Sequence, residues 1–564
     1  METNRFVSKG NFTLFDLWDT YLVPFEASFL PTRGASAGSM CSYISLSIEG
    51  GPMIPACAND YLLNTLTRNY WQNPAAYHTS DCGAVQYMVS KGFTKNDTYS
   101  AAAALNGGMD LNSNTILPRQ LALALEMGIV NSFTLDASLS RTLAWRFRLG
   151  QLDPIELQPL YIAGKGLGVL GSQANKDAAL EGSAQGLVLA KNAGGALPLK
   201  KGITLAILGP QATAQEALLG DYYADAVCPG SSSYANVVGY GCVPTLAAAF
   251  AEANAGAGGS TLVHLGVTIK GNDSSWGAAL AAAAAADAVV LALGTDRSVA
   301  EEGGDLSRIS LPGLQSAFAL AVLAAAGAGK PVVFLLVSSF PVAFEELYAQ
   351  LPAVVLAYNP GMGAAAVAAA VFGDTNRWGR SVFTHYPSNY TSAVALGDFG
   401  MVPSAVNPGR TYRYYTGAAG AATVKFGAGL SYNTLAVACA GAGSGSGSLT
   451  LACNVTSKSG PAGDQVLQVF HRASPAVIAR IAGAHPVPLL TCVDVQRFAV
   501  PAGATVPVVF TLPESSVLSL VNATGARNAY AGDHFLDVFD GSANNVTLTF
   551  TVAADTVVSV PPLP

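Results

Sequence analysis

The hydrophobic periodicity of this chain changes after Tyr415, and that change restricts its possible folds more than any other feature. Before it, short apolar runs alternate with longer stretches of helical period, and the runs end in glycine or polar residues. Residues 204–208, 288–293, 332–337 and 353–357 read as buried strands, with alanine-rich helices such as 277–286 and 363–372 between them. After it, alternating runs at 465–469, 505–512 and 546–552 are separated by Gly, Pro and Ser, the pattern of an antiparallel β-sandwich. The Gly/Ser stretch 441–448 reads as a flexible loop inside it.

The first 155 residues follow a strand–loop–helix rhythm of their own. Residues 14–29 are helical with a break near Pro24, 39–46 form a strand and 60–71 a helix. A short strand at 76–79 runs into Ser80-Asp81-Cys82, and residues 107–111 read as another strand end. Helices are expected at 99–106, 120–127 and 136–149. Repetition of this kind predicts a parallel α/β layer, in which polar residues at strand ends carry the chemistry. A chain of 564 residues exceeds one core, so the reading is α/β multidomain: 1–155, a linker at 156–175, 176–405 and 406–564.

Charge narrows the partners. Only 12% of residues are charged and the net charge is −7, which gives no reason to expect nucleic acid or an anionic membrane. Neutral ligands such as sugars stay open. The most apolar stretch, 317–337, is cut by Lys330-Pro331, so it reads as a buried helix, a turn and a buried strand rather than a membrane span. Met1 to Gly10 is polar and lacks the apolar core of a signal peptide. Asn-x-Ser/Thr acceptors at Asn11, Asn96, Asn272, Asn389, Asn454, Asn522 and Asn545 nonetheless point outward. So do eight cysteines, of which Cys41/Cys57, Cys228/Cys242 and Cys439/Cys453 are spaced like local disulfides. Secretion is the expected localisation. No CxxC or CxxH spacing suggests zinc.

Two acidic segments carry the candidate chemistry. Asp81 closes a strand, where an aspartate also serves simply to cap a turn. Glu301-Glu302-Gly303-Gly304-Asp305 follows the strand at 288–293, on a loop that alone would read as a solvated turn. Together they suit a retaining glycosidase, which needs an ionised nucleophile and a protonated acid about 5–5.5 Å apart.

Ordered motifs sharpen this reading. Met40-Cys41-Ser42-Tyr43, Ile54-Pro55-Ala56-Cys57-Ala58, Tyr77-His78-Thr79-Ser80-Asp81-Cys82 and Gly108-Met109-Asp110-Leu111-Asn112 stand in order, with Arg148-Leu149-Gly150 after them. Residues 185–192, Leu197-Pro198-Leu199, Asn359-Pro360-Gly361 with Phe372-Gly373-Asp374, and the segments 408–415 and 426–432 continue the series. The set resembles glycoside hydrolase family 3, in its plant-type β-xylosidase and arabinofuranosidase branch. The resemblance implies a partial (β/α)8 barrel, then an α/β sandwich, then a fibronectin type III-like β-sandwich. It implies Asp81 as nucleophile, Glu301 as acid/base with Glu302 in reserve, and Tyr43, Met40 and Cys82 lining the sugar pocket. A β-1,4-xylosyl or arabinosyl substrate is implied, and no metal or organic cofactor.

Departures from the family pattern keep a second reading open, that of a non-catalytic protein binding carbohydrate or a partner. Ala300 holds the usual acid/base position, Leu306 replaces an arginine, Gly83 a second aspartate and Ile44 an asparagine. The likeness also begins after the fifth strand of the family barrel, near Asn4, without the segments that supply a sugar-binding Lys-His pair and an early Asp.

Overall fold

The computed structural model describes residues 2–158, 171–223, 228, 239–271, 274–443 and 447–564, which form a mixed α/β multidomain protein. Asn272, most of the expected linker and the tip of the 441–448 loop lie outside the described residues.

The N-terminal part holds short strands β1 (Lys9–Phe12), β2 (Gly38–Cys41), β3 (Ser45–Ile48), β4 (Ile54–Pro55) and β5 (Tyr77–Ser80). β2 pairs in parallel with β5, from Gly38 opposite Tyr77 to Cys41 opposite Ser80. β1 pairs in parallel with β3, and β3 antiparallel with β4. The single strand expected at 39–46 is therefore two strands in different sheets. The chain turns at residues 42–44, where the Cys41–Cys57 disulfide and the Ala56 N–H to Ile44 carbonyl bond tie it to the next segment. Residues 107–111 do not form a strand; Leu111 makes one isolated bridge to Thr79. Helices Asp97–Asn106 and Ser132–Arg148 begin earlier than their apolar periodicity implies, because Asn96 and Asn131 cap them by accepting from the Tyr99 and Thr134 N–H groups. The break in the first helical stretch falls at Leu22, with Pro24 in the first turn that follows.

The central sheet has the order β6-β11-β10-β9-β7-β8, built from β6 (Val188–Asn192), β7 (Thr204–Leu208), β8 (Ser260–His264), β9 (Ala288–Gly294), β10 (Val332–Val337) and β11 (Ala353–Leu356). All neighbours are parallel except the antiparallel edge strand β6. Every residue of β9 and β10 is buried, as expected for parallel strands covered by helices on both faces. Helix Gln315–Ala326 leads through a turn into β10, as the apolar stretch predicted. Among the described residues no helix is long and apolar enough to cross a membrane.

Two antiparallel sheets follow, ordered β12-β13-β16 and β15-β14-β19-β20. Their strands are β12 (Thr434–Gly443), β13 (Ser448–Ser459), β14 (Gly463–Ala473), β15 (Thr491–Val500), β16 (Thr505–Pro513), β19 (Gly532–Phe539) and β20 (Asn545–Val552). A small third sheet joins β17 (Ser519–Val521), β18 (Arg527–Ala529) and β21 (Thr556–Ser559). Alternate residues Leu449, Leu451 and Val455 of β13 meet Leu467 and Val469 of β14 and Leu536 and Val538 of β19 in one core, so the two larger sheets pack face to face. The disulfides Cys41–Cys57, Cys228–Cys242 and Cys439–Cys453 all form; Cys82 and Cys492 are free.

Long-range contacts lock the N-terminal part to the rest. Arg413 pairs with Asp19 at 2.8 Å, and the buried Tyr414 hydroxyl donates to the same carboxylate at 2.5 Å. Met401, Tyr414 and Val521 complete an apolar core that otherwise comes from residues 12–117.

Candidate active site

Asp81 stands at the end of β5, and the strand is pinned from below. Asp110, its side chain fully buried, accepts from the His78 N–H at 2.9 Å and pairs with Arg68 at 2.6 Å and Arg141 at 2.8 Å. The Ser80 hydroxyl accepts from the Asn112 amide at 2.9 Å and the Ser113 N–H at 3.0 Å. His78 is enclosed between Ser39 and the Leu63 carbonyl, and burial together with nearby Arg68 depresses its pKa to about 3. The Asp81 N–H donates to the Cys41 carbonyl at 3.0 Å, and Gly83 (φ +78°) turns the chain away in a conformation that favours glycine.

The carboxylate itself is half-buried and accepts from the Cys82 N–H at 2.6 Å. Tyr43, buried, donates to the Cys82 carbonyl at 2.9 Å, near enough to Asp81 to feel its charge. Burial and the Asp81 charge push the Tyr43 pKa up to about 12, so it stays a neutral donor. Cys82 is exposed beside it. Met40 goes elsewhere. It is 60% exposed and lines an apolar groove of about 220 Å³ with Phe25, Phe29 and Trp71, which Asp81 does not line.

The second acidic segment leaves β9 at Gly294, whose φ of +152° and close approach to the Val337 carbonyl leave no room for a Cβ. Gln315 clasps both backbone groups of Gly294, and Gln211 donates to the Thr295 carbonyl at 2.9 Å. The loop then turns at Asp296 and buries Ala300, 5% exposed, while Glu301 and Glu302 project outward. Reciprocal backbone bonds between Glu301 and Gly304 close its tip. Arg297 pairs with Glu301 at 3.3 Å and with Asp221 at 3.2 Å.

A cavity of about 480 Å³ opens beside the tip, lined by Glu2, Asp221, Tyr222, Glu301, Asp305 and Phe340 among others. Asp81 is not in its lining. Between the two carboxylate segments stand Tyr43 and Arg5. Arg5 bonds Glu302 at 2.5 Å, and its guanidinium carbon lies 5.3 Å from the centre of the Tyr43 ring. Arg5 was not a sequence candidate, because one arginine near the start of the chain gives no signal until its tertiary partners are known. Among the described residues no cluster of His, Cys, Asp and Glu could hold a metal ion.

The geometry is thus a strand-end carboxylate and a loop bearing two glutamates, contributed by different parts of the chain, at a junction where small-molecule sites commonly form. Residues 187–432 match the glycosyl hydrolase family 3 C-terminal domain. The probable exo-1,4-beta-xylosidase xlnD of Neosartorya fischeri is 31% identical over 559 residues, which are 95% of this chain and 68% of that protein. The chain belongs to glycoside hydrolase family 3. Within the family, the exo-1,4-beta-xylosidase bxlB of Emericella nidulans is 33% identical over 520 residues, 88% of this chain and 62% of that protein. Beta-D-xylosidase 1 of Arabidopsis thaliana is 33% identical over 443 residues, 76% of this chain and 52% of that protein. The chain therefore spans between half and two thirds of the length of these two family members. A solved family 3 exo-beta-xylosidase, XlnD in complex with a xylobiose aziridine activity based probe, shares the fold with a TM-score of 0.82 at 24% identity, over 99% of this chain and 71% of that one.

Proposed function

We propose that the chain acts as a retaining exo-β-glycosidase, a β-1,4-xylosidase that releases xylose from xylo-oligosaccharides, with arabinofuranosides as a second substrate class. The observation that carries the reading is Asp81, half-buried at a strand end, with Tyr43 bonded to the next residue, Cys82, and Arg5 joining the Tyr43 ring to the loop of Glu301 and Glu302. Asp81 attacks the anomeric carbon and forms a glycosyl-enzyme; Glu301 protonates the departing oxygen, then takes a proton from the water that hydrolyses the intermediate. Glu301 is taken as the acid/base and Glu302 as its reserve; both border the cavity, and each carboxylate is paired with an arginine, Glu301 with Arg297 and Glu302 with Arg5. Tyr43 and Cys82 adjoin the Asp81 side of the sugar site; Met40, in its separate groove, contributes less directly.

The same reading takes residues 1–155 as part of a TIM-type barrel, 176–405 as an α/β sandwich and 406–564 as a fibronectin type III-like domain, in a secreted glycoprotein. Supporting it are the parallel pairing of β2 with β5, the doubly covered central sheet and the face-to-face antiparallel sheets. Hydrolysis of 4-nitrophenyl β-xyloside by the chain, abolished in Asp81→Asn, is the test. A chain that binds xylobiose without cleaving any xyloside is instead a carbohydrate-binding protein.

A further inference from the structure

We propose that Arg5 is a positioning residue that holds the 301–305 loop in register with the Asp81–Tyr43 pair, so that both grip one sugar ring; this rests on the glycosidase reading above. Residues 2–6 act as a strap with an attachment on each side. On the loop side, the Glu2 carboxylate accepts from the Gly303 N–H at 3.1 Å. Asp305 accepts from the Glu2 and Thr3 N–H groups at 2.9 and 2.7 Å, and its own N–H donates to the Thr3 hydroxyl at 3.0 Å. On the Asp81 side, Phe6 stacks on Tyr87 at 4.6 Å and meets the Tyr43 ring edge-on at 4.8 Å.

Arg5 joins the two sides in one side chain. It donates to Glu2 at 2.7 Å and to Glu302 at 2.5 Å, while its flat face lies over Tyr43 at 5.3 Å and Phe6 at 5.1 Å. Its side chain is only 18% exposed, and its Nε is buried without a partner among the described residues. An exposed ion pair of no consequence would not need that arrangement, which uses the planar fork and the ring-stacking face together; a lysine reproduces the charge and loses the fork. The base of the loop is fixed independently by Gln315 and Gln211, so what Arg5 controls is the tip, where Glu301 and Glu302 sit.

The test compares the unmodified chain with Arg5→Ala and Arg5→Lys in two ways. Amide exchange at Gly303 and Asp305 should quicken about tenfold in Arg5→Ala, with Arg5→Lys between. In steady-state kinetics, kcat for methyl β-xyloside should fall about 10²-fold in Arg5→Ala with KM nearly unchanged. The fall for 4-nitrophenyl β-xyloside should stay under about tenfold, because an activated leaving group needs less help from a well-placed acid. Arg5→Lys should recover part of the loss. Unchanged exchange at the loop tip overturns the proposal, as does an equal loss for both xylosides that lysine does not relieve. A chain that hydrolyses neither xyloside removes the glycosidase reading, and the exchange comparison then decides alone whether Arg5 positions the loop.

Discussion

The Tyr43 hydroxyl donates at 2.9 Å to the carbonyl of Cys82, the residue that follows Asp81. On the proposed reading of Asp81 as nucleophile, a neutral phenol in that place orients the turn that carries it. Tyr43→Phe keeps the buried ring and removes the donor, so the fold should persist while kcat falls by about 10–10². Far-ultraviolet dichroism and xyloside kinetics on the purified variant check both halves. With Tyr43 titrating near pH 12, no limb of the pH–rate profile below pH 10 should disappear in this variant.

Asp110 supports the strand rather than the reaction. Replacing it with Asn leaves Arg68, almost wholly buried, facing a neutral amide and weakens the anchor of the His78 N–H. The expected loss is about 3–5 kcal/mol, read from the urea midpoint of the variant. Arg141 is more exposed, and Arg141→Met should cost much less.

Acid should destabilise the chain through its buried histidines. His78 and His471 are depressed to about 3 and His385 to about 4, in each case chiefly by burial, against an ordinary value of 6.5. The unfolded chain therefore binds protons first, so the stabilisation is complete above pH 6.5 and is lost as pH falls toward 3. Unfolding midpoints measured from pH 7 to pH 4 should fall, and His78→Gln should flatten part of that slope.

Gly294 controls where the second acidic loop begins. A Cβ there would collide with the Val337 carbonyl of the neighbouring strand, and its φ is one that side chains avoid. Gly294→Ala should destabilise by about 1–3 kcal/mol and displace the loop, lowering activity more than binding. Gly303→Ala, whose Cβ would meet open space, tests the φ effect alone.

Much of this was legible in the sequence because β7, β9, β10 and β11 are continuous apolar runs that have no alternative but burial. β6 and β8 were missed. β8 lies at the sheet edge with partly exposed side chains, and β6 sits antiparallel at the other edge, so neither shows the fully apolar run of its neighbours. The 107–111 segment looked like a strand end, yet its polar atoms are spent holding β5 in place. For the candidate site, Asp81, Tyr43 and the glutamates are candidates on the strength of short motifs. What no local pattern encodes is the pairing of Arg5 with Glu302 across almost 300 residues, since it exists only once the chain has folded. Met40 illustrates the converse, because β2 turns it into a groove although it lies three residues from Tyr43 in sequence.

The most direct measurement is peptide mass spectrometry after treating the chain with a xylose-configured aziridine, which traps the nucleophile of a retaining glycosidase as an ester. One added mass equal to the intact, ring-opened reagent is expected on the peptide containing Asp81, absent in Asp81→Asn. Labelling of a different carboxylate, or no covalent labelling of a chain that still cleaves xylosides, would contradict it.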